Sequence, residues 1–175
     1  MTTIIGIDPG TSGALAVARY RPHYPPDVLH VSDLPIITVS TGKVVDVEAL
    51  RTLLFSFTPD MVVVEYPLWQ RHDGATQAST SWRNFGRIEA TVMMTCVSSD
   101  RTALCLVSPT VWKKEMGLTL GRTADRKQRK ALSMAVAKKL FGDKALGYLS
   151  RVKDHDRAEA LLLTYWGSMT PSPSS

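Results

Sequence analysis

The chain has 175 residues, 44% of them hydrophobic and 21% charged, which suits one water-soluble domain (residues 1–169 ahead of a frayed 170–175 tail) with a core of its own. No run approaches the roughly 20 apolar residues of a membrane span, and MTTIIGIDPG lacks the basic start and long apolar stretch of a secretory signal, so neither a membrane nor export is expected. The net charge of +5 is unevenly spread: residues 113–144 hold ten Lys/Arg against three acids, a net of +7 that leaves −2 for the rest.

Such a concentration of positive charge suits a surface that meets phosphates, although a solvated helix face reads similarly. The two cysteines, Cys96 and Cys105, are too few for a disulfide framework and lack zinc-site spacing, and read as buried thiols in a reducing cytosol.

Residues 2–8 (TTIIGID) form a short apolar run ended by Pro9-Gly10 and predict a buried strand. Residues 14–20 (ALAVARY) and 28–32 predict two further strands, separated by a proline-rich turn over 21–27. Residues 43–45 read as a ribbon or as the lead into a helix over 46–57, where Val47, Leu50, Leu53, Leu54 and Phe57 fall at helical spacing. MVVVE (61–65) is the clearest strand, followed by a polar loop over 68–76. A helix over 77–97 carries the stripe Ala78, Trp82, Phe85, Ile88, Val92 and Cys96. A strand over 103–107 precedes a helix capped by Ser108 with Pro109 in its first turn. The basic helix is expected over 123–141 and a last helix over 154–166, burying Ala158, Leu161, Leu162 and Tyr165. Three leading strands suggest an antiparallel meander, and the later alternation of strands and helices suggests parallel crossovers. The expected fold class is α/β, a mixed sheet covered by helices on both faces.

Three acidic positions lie at the ends of different elements: Asp8 after the first strand, Glu65 after MVVVE, and the segment Asp154-His155-Asp156-Arg157-Ala158-Glu159 at the start of the last helix. Sites in α/β sheets form at the carboxyl ends of strands. Asp156 and Glu159 are three apart, and His155 and Glu159 four apart, so either pair projects from one helical face. Each acid also has a structural reading: Asp8 as a turn residue, Asp154 as a helix N-cap. Gathered together, carboxylates repel and call for a cation, and oxygen ligands select Mg²⁺ or Mn²⁺. Two such ions about 3.5–4 Å apart activate water and stabilise the leaving oxygen of a phosphodiester.

IIGIDPGTSGALAV, VVVEYP, NFGRIEAT, SPTVWKKEMGL and KDHDRAEALLL, in this order, span nearly the whole chain. As a set they resemble the RuvC-type Holliday junction resolvases, particularly the compact forms carried by phages. The resemblance implies an RNase H-like, five-stranded mixed sheet with helices on both faces. It also implies a homodimer that uses Mg²⁺ (Mn²⁺ as substitute) to nick two opposed strands of a four-way DNA junction, in the cytoplasm of a bacterial or phage-infected cell. Carried over by resemblance, Asp8, Glu65 and Glu159 are metal ligands, with Asp8 bridging the ions. The fourth position falls on Asp156, with Asp154 or His155 as the alternative. The helix over 77–97 is similar to the family's subunit-pairing segment, though its stripe equally suits packing on its own sheet. Trp69, Arg71 and His72 are candidates for contact with unpaired bases. Lys113, Lys114, Arg122, Arg126, Lys127 and Lys130 are candidates for phosphate contacts.

Three rival readings stand beside this one. Asp-Pro-Gly-Thr-Ser-Gly also looks like the phosphate loop of sugar kinases and actin-like ATPases, but the chain is short for two lobes and lacks a second Asp-x-Gly-Gly loop. A DNA-binding module without activity would have no use for the acids. A nuclease of the same fold acting on other DNA or RNA structures shares every feature named.

Overall fold

The computed structural model describes residues 1–9, 12–68, 75–96, 102–121 and 123–170, with only the backbone of 75–78. In chain order the strands are β1 (Thr2–Asp8), β2 (Ala14–Tyr20), β3 (Asp27–Asp33), β4 (Ile36–Val39), β5 (Gly42–Val45), β6 (Met61–Glu65) and β7 (Ala103–Val107). The α-helices are α1 (Val47–Phe57), α2 (Ala75–Thr95), α3 (Pro109–Glu115), α4 (Arg126–Phe141), α5 (Asp143–Leu146) and α6 (His155–Met169).

The main sheet has five strands in the order β3-β2-β1-β6-β7. The first three form the antiparallel meander, and β6 and β7 add as parallel strands. The expected mixed sheet is therefore the one observed. The ribbon reading of residues 43–45 holds too: β5 pairs with β4, a strand not expected from the sequence, as a separate two-stranded hairpin. Asp46 follows directly and caps α1, its side chain accepting from the Glu48 and Ala49 amides.

Alternation along the strands divides the core in two. Ile5, Ile7, Leu15, Val17, Val62 and Val64 face α1 and α2, where Leu50, Leu54, Phe85, Ile88, Val92 and Cys96 meet them. Ile4, Ala14, Ala16, Ala18, Met61 and Val63 face α3, α4 and α6. The stripe on α2 is thus spent on its own sheet from Phe85 onward, whereas Trp82 is 45% exposed. Buried on several sides at once, α6 encloses Ala158, Ala160, Leu161, Leu162, Leu163 and Thr164 at 0% exposure. A helix apolar nearly all round belongs inside a core.

Gly6 explains how closely α6 approaches the sheet. A Cβ at this position would run into the Ala160 backbone carbonyl and would lie 3.0 Å from Leu163 Cβ and from the Thr164 amide nitrogen. Only glycine lets the helix lie against β1 there, two residues before Asp8 on the same face of the strand.

Candidate active site

Asp8 and Glu65 are brought together by register. In the parallel pair of β1 and β6, Ile7 is opposite Val64, so the next residues, Asp8 and Glu65, end adjacent strands side by side. Both share the parity of Ile4 and Val63, the face covered by α6. The first turns of α6 then present Asp156 and Glu159 toward the same place.

The α3 helix closes the site from the other edge. Glu65 is paired with Val107 at the end of β7. The chain turns at Ser108, whose side chain caps α3 by accepting from the Val111 amide, and Pro109 opens the helix. Trp112, at 0% exposure, donates its indole N–H to Glu65 Oε2 at 2.6 Å. Lys113 Nζ lies 2.8 Å from Glu159 Oε2 and 5.1 Å from the centroid of the Trp112 ring. From α4, Ser133 Oγ donates to the other Glu159 oxygen at 3.0 Å. Ser12, in the turn after β1, donates to Asp156 Oδ2 at 2.5 Å, and His155 Nε2 is 2.8 Å from Asp156 Oδ1.

These groups feel one another. Burial pushes the Glu65 carboxyl up to about 7, with the charges of Glu159 and Asp156 adding to the rise and Lys113 and the Trp112 bond opposing it. Burial would pull the Lys113 ammonium down, but Glu159, Glu65 and Asp8 outweigh it and hold Lys113 above its ordinary range. Three carboxylates from three elements, Asp8, Glu65 and Glu159, therefore act on the Lys113 ammonium, and Asp156 acts on Glu65. Among the described residues, no three His, Cys, Asp or Glu side chains are already gathered tightly enough to hold an ion. The chemistry of the donor set nonetheless fits a hard divalent cation: all four acids offer oxygen, and burial opposes the charge of Glu65.

Asp154 is engaged by Arg151: its side chain, 2% exposed, accepts from the Arg151 amide, Nε and Nη2 at 2.8, 2.9 and 2.6 Å. It does not cap α6 by a side-chain bond, because a 3-10 turn over Val152–Asp154 directs the carboxylate back to Arg151. His155 lies beside Asp156, with its Nδ1 buried and unpartnered. Lys113, a candidate for phosphate contact, donates to Glu159. Lys114, Arg126 and Lys127 are exposed and Lys130 is half-buried, consistent with a solvent-facing basic surface. Trp69, Arg71, His72, Arg122 and the 171–175 part of the tail lie outside the described residues.

Trp112, Ser133 and Ser12 were not foreseen. Their signal in sequence is faint: Trp112 is one helical position before Lys113 in a helix that starts right after a strand, and the serines have no periodicity to mark them.

No family model and no curated protein sequence matches the chain. Solved structures do. The chain is similar to Thermus thermophilus RuvC in complex with a Holliday junction substrate, with a TM-score of 0.62 at 14% identity over 95% of both chains. A second Thermus thermophilus RuvC structure gives a TM-score of 0.59 at 16% identity, again over 95% of both chains. The yeast mitochondrial Holliday junction resolvase Ydc2 gives 0.57 at 16% identity, over 93% of this chain and 76% of that one. At these identities the likeness establishes the fold: this chain shares the fold of these solved structures.

Proposed function

We propose that this protein is a divalent-metal-dependent endonuclease that nicks branched DNA, with the four-way junction as its substrate. The observation that carries the reading is the convergence of Asp8, Glu65, Asp156 and Glu159 at the carboxyl end of the sheet, on the fold shared with junction resolvases. Asp8, Glu65, Asp156 and Glu159 would hold Mg²⁺, or Mn²⁺ in its place. When bound, the metal supplies Lewis-acid stabilisation of the phosphodiester oxygens and a more acidic water. The chain's own part is to fix the acids. Trp112 holds one oxygen of Glu65, Ser12 and His155 hold Asp156, and Ser133 holds Glu159. The exposed start of α4, with Arg126 and Lys127, suits the phosphates of a DNA arm.

A homodimer is part of the proposal. The face of α2 turned away from the sheet exposes Trp82, Gly86, Ala90, Met93 and Met94. An added Cβ at Gly86 would meet nothing within 4 Å, so a second helix has room for close approach. Mass measurement in solution tests this, with Gly86→Arg expected to yield monomers.

The central test is nicking of a synthetic four-way junction by the full chain. Cutting is expected with Mg²⁺, is expected to stop with EDTA, and is expected to be much weaker on a linear duplex of the same sequence. Asp8→Asn is expected to abolish cutting while junction binding persists; cutting at the normal rate by that variant overturns the assignment. Equal cutting of duplex, flap and junction would favour a broader nuclease of the same fold.

A further inference from the structure

Lys113 is an unusual lysine for a DNA-cutting surface. Its side chain is 28% exposed, and its ammonium is committed to Glu159 at 2.8 Å. The neighbouring Lys114 is exposed to solvent, as phosphate-seeking lysines ordinarily are. Three of the four acids, Glu159, Glu65 and Asp8, act on the Lys113 charge. The stem is steered inward by Trp112, whose ring lies under the ammonium and whose N–H is already fixed on Glu65.

We propose that Lys113 is the resident counter-ion of the acid cluster, occupying the place of a divalent cation, which must displace it in order to bind. This rests on the metal reading above. One ammonium faces three carboxylates, so an ion of twice the charge has an electrostatic advantage there. Lysine suits the exchange because its charge sits on a flexible four-carbon stem, which can swing out while α3 stays packed through Trp112. The lysine keeps the acids from repelling one another before metal arrives, and it delays a ready-made three-ligand cluster until metal competes for the oxygens.

The test is calorimetric titration of the full chain with Mn²⁺ at fixed pH and ionic strength. Removing an ordinary site residue weakens metal binding, whereas Lys113→Met is expected to strengthen it, by roughly tenfold or more. In EDTA the same variant is expected to unfold at lower denaturant than the unaltered protein, with the gap closing as Mn²⁺ is added. Lys114→Met is expected to leave Mn²⁺ affinity unchanged. If the unaltered protein binds Mn²⁺ and Lys113→Met binds it equally or more weakly, this inference fails alone. If neither binds Mn²⁺, the metal reading fails and this inference with it. Amine labelling of the unaltered protein, mapped by mass spectrometry, gives a second measurement should Lys113→Met not fold. Labelling at Lys113 is expected to rise on saturation with Mg²⁺, and labelling indifferent to saturating Mg²⁺ overturns the exchange.

Discussion

Trp112 and Glu65, 47 residues apart in the chain, are joined by a 2.6 Å hydrogen bond from the indole nitrogen to one carboxylate oxygen. Trp112→Phe keeps an aromatic ring in the core but removes the donor. The expected loss is about 1–3 kcal/mol of stability, read from urea unfolding in EDTA. Mn²⁺ affinity is expected to fall roughly tenfold, as it does when a group that orients a ligand is removed. A variant with unaltered affinity would show that the bond serves packing alone.

Glu65 also makes the metal-free protein sensitive to pH. With its carboxyl pushed up to about 7 in the fold, against roughly 4.3 in an unfolded chain, the folded state binds the extra proton between those values. Stability from this group is therefore fully present below the lower value and is lost as pH rises through about 7. Urea midpoints in EDTA are expected to decline from pH 5 to pH 8 by an amount on the order of 1–3 kcal/mol. Glu65→Gln is expected to flatten that slope; an equally steep slope in Glu65→Gln assigns the effect elsewhere.

The two aspartates that flank His155 should separate cleanly. Burial works against the Asp154 charge, yet the bonds from Arg151 outweigh it and keep that carboxyl below its ordinary range. Asp154→Asn is expected to cost about 1–3 kcal/mol while leaving Mn²⁺ affinity intact. Asp156→Asn is expected to weaken Mn²⁺ binding and cutting while costing little stability. The reverse pattern would make Asp154 the fourth ligand.

Gly6→Ala places a methyl group against the Ala160 backbone, which cannot yield as a side-chain tip can. Overpacking of this kind costs about 1–3 kcal/mol. Because Glu159 precedes Ala160 on α6, cutting is expected to fall by more than the unfolded fraction accounts for. Activity that tracks the folded fraction alone would mean the helix shift does not reach the acid.

Neutralising Arg126 and Lys127 together is expected to weaken junction binding. The slope of log affinity against log salt is expected to become shallower by about 1 for each phosphate no longer engaged. An unchanged slope would remove the start of α4 from the DNA path.

Much of this arrangement is written locally. MVVVE and TTIIGID declare themselves as buried strands, and their terminal acids needed only the neighbouring of β1 and β6 to meet. The β4 strand was hidden because Ile36–Val39 is four residues long, with Ile36 partly buried and the other three exposed, which leaves no alternation to detect. The apolar stripe of α2 could not declare its partner, since packing on a sheet and packing on another subunit demand the same spacing. Two partnerships were not legible: Lys113 meets Glu159, 46 residues away, through tertiary packing, and a 3-10 turn aims Asp154 at Arg151 in place of the helix-capping bond its position suggests.

The close seating of α6 on β1 carries a consequence for truncated chains. Two of the four acids, Asp156 and Glu159, lie on α6 and join Asp8 from β1, so the set is complete only when segments about 150 residues apart have met. A chain cut short before residue 155 has two of the four acids and lacks the helix that packs on β1 at Gly6. Under the proposed function, a fragment that ends before α6 is expected to leave a DNA junction uncut.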